Sequence, residues 1–161
     1  MNIKWLEGSL FLTILLSGLY GGVGFFTAMG GNPALEAMSD AGFAEFWQNV
    51  DHYMAARMPV FGPMLMLSLL LSLVLLIIAR QVLSTWVMLA ALFVIVSDLV
   101  FTLRMNHPLN QIIQSWDLKN LPSNVQEVKW KVINAFNIRM LFMMSAFILV
   151  LSSVWLREKK T

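Results

Sequence analysis

The chain is expected to be an all-α integral membrane four-helix bundle, with amphipathic helices in the two loops on one membrane face. Three observations carry that expectation. Its 161 residues are 58% hydrophobic and only 12% charged, about half the charged share of an ordinary soluble domain. The apolar residues gather into four runs, each close to the roughly 20 residues that a helix needs to cross hydrocarbon. The longer breaks between runs are polar and carry helical periodicity of their own.

The first span is read over about residues 6–28. Lys4 before an apolar run resembles a secretory leader, but the run from Leu10 to about Ala28 is too long and no small-x-small cleavage site follows, so it is read as retained. Gly18 and Gly22 form a small-xxx-small pair suited to close helix approach. Gly30, Gly31 and Pro33 then break the pattern. From Ala34 to Met58 the apolar residues Phe43, Phe46, Trp47, Val50 and Met54 recur at helical spacing, which predicts an amphipathic helix. Asn49, His52, Tyr53 and Arg57 fall along one side of it, and Arg57, close to the apolar stripe, needs a partner or a wet cavity unless it snorkels to headgroups.

The second span is expected over about 60–79, with Pro59 and Pro63 at its beginning. Only Arg80 and Gln81 separate it from the third, at about 82–103, which predicts a tight antiparallel hairpin. Residues 104–122 form the second polar connection, with Leu109, Ile112, Ile113 and Trp116 on a short amphipathic helix. Ser123 and Gln126 match a capping box that opens the last helix. Its spanning part is placed at about 133–155. The chain reads as one domain over residues 1–161, without evident internal repeat.

The formal charge is +2, from 11 basic and 9 acidic residues, and no basic stripe points to nucleic acid. The absence of cysteine excludes disulfides, thiolate metal sites and cysteine nucleophiles. Four spans put both termini on one side, with Lys4, Arg80, Arg157, Lys159 and Lys160. Arg57, Arg104, Lys119, Lys129 and Lys131 fall on the other. The first group lies in short segments beside the spans, where the positive-inside rule is most reliable. Both termini are therefore expected in the cytoplasm, with the plasma membrane as the location.

Asp98 in the third span and Arg139 in the fourth are the ionisable residues inside hydrocarbon. Such groups pair or face a wet interior. At ~1.5 Å per residue both lie about 8–10 Å below the same membrane face, so an Asp98–Arg139 ion pair is expected. Asp98, Thr102 and Met105 share one helix face. Trp130, Asn134 and Asn137 share another, about 160° from Arg139 at 3.6 residues per turn. The pair either pins two helices or lines a pocket.

Asn106-His107-Pro108-Leu109-Asn110 after the third span, then Trp130 and Phe136-Asn137-Ile138-Arg139 in the fourth, resemble the anthrone oxygenase family. The stretch Met29-Gly30-Gly31-Asn32-Pro33 and the pair Phe46-Trp47 are similar to that family's first loop. The resemblance implies a four-span fold. It also implies oxidation of an apolar aromatic or quinone-like molecule by dioxygen, without metal or organic cofactor, and motif positions Asn106, Pro108, Asn110, Trp130, Asn137 and Arg139.

Such chemistry needs a base, donors for an oxyanion and a dry cavity. His52 and His107 are candidate bases because imidazole titrates near neutrality, and Asp98 is a third if Arg139 leaves it free. Asn106, Asn110, Asn137 and Arg139 are candidate donors, and Trp47, Trp116 and Trp130 candidate stacking platforms for a planar substrate. The bland alternatives are solvated histidines, an interfacial tryptophan belt and asparagines that cap helices. No metal-ligand spacing is present. The competing reading is a non-catalytic membrane protein that binds a hydrophobic ligand, a partner membrane protein or a second copy of itself.

Overall fold

A computed structural model describes residues 3–157; Lys159 and Lys160, counted above for orientation, lie outside the described residues. Helix α1 spans Ile3–Phe26, α2 Asn32–Ala37, α3 Asp40–Ile78, α4 Val82–Phe101, α5 His107–Gln114 and α6 Val125–Trp155. No strand occurs among the described residues. Four helical stretches, Lys4–Ala37, Asp40–Ile78, Val82–Gln114 and Val125–Trp155, are long and apolar enough to cross a membrane. Many large apolar side chains face outward, among them Phe11, Leu67, Phe93 and Ile148. That exterior is stable in lipid and costly in water.

The spanning helices run up and down in chain order. α1 packs on α3 and α6, and α4 packs on α3 and α6, while α3 and α6 meet little across the diagonal. Two apolar clusters hold the bundle. The larger includes Leu10, Leu16, Leu69, Leu76, Met88, Ile95 and Val150. The second joins Leu35, Phe43 and Trp47 to Ile113, Val128 and Ile133, beneath the amphipathic segments. At the termini face the Arg157 guanidinium lies 3.7 Å from the Glu7 carboxylate.

Several local expectations shift. The first span does not break at Gly30 and Gly31. It continues through a π-helical turn, Thr27–Gly31, into α2, and the break falls at Met38–Ser39. Ser39 caps α3, its Oγ accepting from the Gly42 amide at 3.2 Å. The amphipathic segment and the second span form one helix, so Pro59 and Pro63 lie inside α3. Ser123 forms no capping box: Asn124 precedes α6 without a side-chain cap, and Gln126 donates instead to Asp40. The close approach of α1 to α6 uses Gly21 and Gly24 rather than Gly22. A Cβ on Gly21 would lie 2.8 Å from Phe147 Cβ and one on Gly24 2.9 Å from Met143 Cβ, whereas one on Gly22 meets nothing within 4 Å.

The two halves of the chain repeat one plan. In each, a rising helix passes through a π turn into a short helix, then a long descending helix follows. The π turns are Thr27–Gly31 and Thr102–Asn106, closed by Asn32 N–H to Thr27 O and His107 N–H to Thr102 O. Each begins at a threonine six positions before a proline, Pro33 or Pro108. A proline in a regular helix clashes with the carbonyl of residue i−4, here Met29 or Arg104, and both lie within the π turns. Widening the helix there accommodates the ring without ending the helix.

Candidate functional site

A polar layer lies between the two apolar clusters, and α6 runs through it with a π turn on either side. Its centre is the expected ion pair. Arg139 Nε donates to Asp98 Oδ1 at 3.1 Å and Nη2 to Oδ2 at 3.2 Å, a fork-on-fork geometry that favours arginine over lysine. Asp98 is 2% exposed. A third donor is Tyr20 of α1, whose hydroxyl bonds Asp98 Oδ2. One carboxylate thereby ties α1, α4 and α6 together. An ionised carboxylate offers about four acceptor positions, so one remains on Oδ1. Arg139 also lies over the Phe136 ring at 5.2 Å.

The backbone explains how α4 presents these groups. Asp98, Thr102 and Asn106 follow at intervals of four, and the extra residue absorbed by the π turn cancels the drift a regular helix would accumulate. Asn106, rather than Met105, thus joins the Asp98 face: Asn106 is 2% exposed and Met105 49%. The Asn106 amide oxygen and nitrogen and the Thr102 hydroxyl are buried without a protein partner among the described residues. Buried polar atoms left so are rare.

The other expected site residues are dispersed. Asn137 lies around α6 from Arg139, as the helical arithmetic required. Its carbonyl accepts from Asn32 Nδ2 at 2.7 Å, and Asn32 Nδ2 also reaches Ile133 O at 3.2 Å. Trp130 stands on the outward face of α6, 51% exposed. Asn110 is engaged at both ends, accepting from Trp47 Nε1 at 3.1 Å and donating to Asp51, which fastens α5 to α3. His52 and His107 are exposed. The His52 ring packs edge-on to Tyr53, and His107 Nε2 is 3.3 Å from Gln111 Nε2. No group of three or more His, Asp or Glu side chains suited to a metal occurs among the described residues.

Alongside the polar layer, α3 is thinly covered beyond its contact with α5 at Gln48 and Asp51. No residue from Gln48 to Met64 is buried, a stretch of roughly 25 Å at 1.5 Å per residue. Met54 and Met58, which continue the inward line of Trp47 and Leu65, are 37% and 39% exposed. An open groove of about 580 Å³, lined by Phe46, Val50, Tyr53 and Met54 among others, runs along α3.

Three contributors were missed by sequence reasoning. Tyr20 is a lone phenol in an apolar span, which is the signal that marks it. Asn32 was noted only within the loop-like stretch Met29-Gly30-Gly31-Asn32-Pro33, with no role of its own. Lys129 was counted only as a loop charge, yet it is 3% exposed. Its ammonium donates to Glu36 O at 3.0 Å and Met38 O at 2.6 Å, capping the end of α2 where the helix dipole favours a cation.

The fold and this cluster define a class: small four-span membrane proteins with a buried, hydrogen-bonded ion pair near one face. A family model described as anthrone oxygenase matches residues 47–149, more than half of the chain, and the protein belongs to the anthrone oxygenase family. The match includes Asp98, Asn106, Asn110, Trp130, Asn137 and Arg139 and begins after Tyr20 and Asn32. No curated protein and no solved structure matches significantly.

Proposed function

We propose that the protein oxidises an apolar aromatic or quinone-like molecule with dioxygen, in the polar layer around Asp98 and Arg139. The observation that carries this reading is the fork-on-fork pair itself: it fixes the Arg139 guanidinium through Nε and Nη2, and Nη1 makes no bond to Asp98. Membership of the anthrone oxygenase family supports the same chemistry. The substrate enters from the bilayer beside the thinly covered inner face of α3 and lies against Met54 and Met58.

In this reading the remaining lone pair of Asp98 Oδ1 takes a proton from the ring CH₂ next to the carbonyl system. Arg139 Nη1 holds the enolate oxygen, an electrostatic role worth several kcal/mol where water is excluded. The electron-rich carbon then forms a C–O bond with dioxygen and gives a peroxide anion, which recovers the proton from Asp98. Loss of the second C–H proton breaks the O–O bond and releases water, so CH₂ and O₂ become C=O and H₂O. His52 and His107, on exposed surfaces, take no part.

The test is oxygen uptake and anthraquinone absorbance with anthrone, using protein in nanodiscs and subtracting the rate of empty nanodiscs. Arg139→Gln is expected to lower the protein-dependent rate by on the order of 100-fold, the usual scale for one oxyanion donor. A rate equal to empty nanodiscs, or one untouched by Arg139→Gln and Asp98→Asn, defeats the reading. A second reading is favoured by Tyr20. A carboxylate that holds three helices together also serves a non-catalytic protein that binds a hydrophobic ligand or a membrane partner. A folded protein that binds anthrone without turnover would favour it.

A further inference from the structure

At the opposite membrane face, the hairpin between α3 and α4 holds a recess that the reaction above does not use. Its volume is about 280 Å³, and Arg80, Leu83, Ser84, Trp86 and Leu156 are among its walls. Ser84 is 1% exposed, and its hydroxyl has no protein partner among the described residues. The recess opens at the start of α4, a 20-residue helix whose first turn carries no acidic residue and whose N-terminus has no side-chain cap. The amides of Val82, Leu83 and Ser84 precede the first intrahelical bond, which Thr85 N–H makes to Gln81 O at 2.9 Å. A helix start of this kind presents free N–H donors and the positive end of the dipole to an anion.

The hairpin adds charge. α3 ends with Arg80 N–H bonded to Ile77 O and Gln81 N–H to Leu76 O, a Schellman arrangement whose left-handed position usually holds glycine. Here it holds Arg80, at φ 56°. The guanidinium is thereby placed beside the mouth of the recess. Trp86, 65% exposed, marks the headgroup level of the bilayer. Ser153 Oγ donates to Ser84 O at 2.7 Å, which fixes this end of α4 against α6.

We infer that this recess binds the phosphate of an anionic phospholipid in the leaflet on the side of the termini. Arg80 supplies charge, the first amides of α4 and the Ser84 hydroxyl supply donors, and Leu83 and Leu156 take the adjoining glycerol and acyl carbons. The size matches a phosphate with its immediate substituents and is too small for a whole lipid, whose chains remain in the bilayer.

The test is native mass spectrometry of the full-length protein in detergent, titrated with phosphatidylglycerol, phosphatidylcholine, diacylglycerol or inorganic phosphate. Wild type is expected to retain one phosphatidylglycerol at an activation energy that strips diacylglycerol, with phosphatidylcholine held more weakly. Ser84→Ala and Arg80→Gly should each weaken retention by on the order of tenfold, the scale of one charge-assisted hydrogen bond. Neither variant threatens the fold, since alanine removes an unpaired hydroxyl and glycine suits the left-handed backbone. Arg57→Gln, at the other face, should change nothing. Equal retention of diacylglycerol, displacement of the lipid by millimolar inorganic phosphate, or undiminished binding in both variants would overturn the inference.

Discussion

Removing the Asp98 carboxylate should destabilise the bundle by about 2–3 kcal/mol, and the figure can be built from the contacts. Asp98→Ala deletes the acceptors of Arg139 Nε and Nη2 and of the Tyr20 hydroxyl together. Breaking a buried pair from one side costs about 3–5 kcal/mol, mostly because a charge is left unpaired. Two effects reduce that here. Hydrogen bonds inside membrane proteins average about 0.6 kcal/mol, since separated helices also find partners. The Arg139 side chain is 15% exposed and can extend toward the nearby headgroups. Tyr20→Phe removes only the hydroxyl and should cost about 1 kcal/mol. Reversible unfolding in mixed dodecyl sulfate micelles, followed by circular dichroism, measures each value. The double variant Asp98→Ala/Arg139→Ala should be less destabilised than the sum of its singles by about 1–2 kcal/mol, because neither charge is stranded. An Asp98→Ala protein within 0.5 kcal/mol of wild type, with additive singles, would refute the view that the pair is buried and coupled.

The glycine contacts make a sharper comparison: Gly24→Ala should lower stability by about 1–3 kcal/mol through overpacking against Met143, while Gly22→Ala, facing open space, should be neutral or slightly stabilising in the same assay. Lys129→Met keeps the stem but leaves the Glu36 and Met38 carbonyls uncapped, so about 1–2 kcal/mol should be lost and hydrogen exchange should rise first in α2. Glu127, at the exposed start of α6, has its carboxyl held below the usual range, chiefly by the hydrogen bond from Lys131 at 2.5 Å and also by that charge. A depressed carboxyl contributes stability above its unfolded pKa and loses it as pH falls through the folded value. NMR titration should therefore show Glu127 returning to the ordinary range in Lys131→Ala, with no measurable change in unfolding.

What could be read from residues alone followed physical scale. Hydrocarbon thickness imposes run lengths, so the number of spans was legible. The cost of charge in lipid forces pairing, so Asp98 and Arg139 found each other once their depths agreed. Arithmetic on one helix also separated Arg139 from Asn137. Features decided by packing were less visible. Proline is ambiguous between starting a helix and bending one, and Pro59 and Pro63 proved interior. Gly18 and Gly22 have motif spacing, but the face that meets α6 is set by the whole bundle and includes Gly18, Gly21 and Gly24 while leaving Gly22 in open space. Lys129 carried no pattern, and Tyr20 only that of a lone phenol in an apolar span. Their roles come from elements far away in sequence, Asp98 for one and the end of α2 for the other.

The repeated plan of the two halves explains why the polar layer lies where it does. A threonine six positions before a proline is too sparse a signal to announce a repeat, yet it places a π turn at the same end of α1 and of α4. Asn32 directly follows the first turn and Asn106 is the last residue of the second, and both turns flank α6. On the first side Asn32 finds Ile133 O and Asn137, which satisfies the turn and anchors α1. On the second side Asn106 and Thr102 find no such partner among the described residues. The halves therefore share a backbone device and differ in its use: one copy is a fastening, and the other leaves buried donors and acceptors uncommitted beside the ion pair. That difference directs attention to Asn106 more than to either histidine, because a protein fold rarely leaves both ends of a buried amide without a purpose.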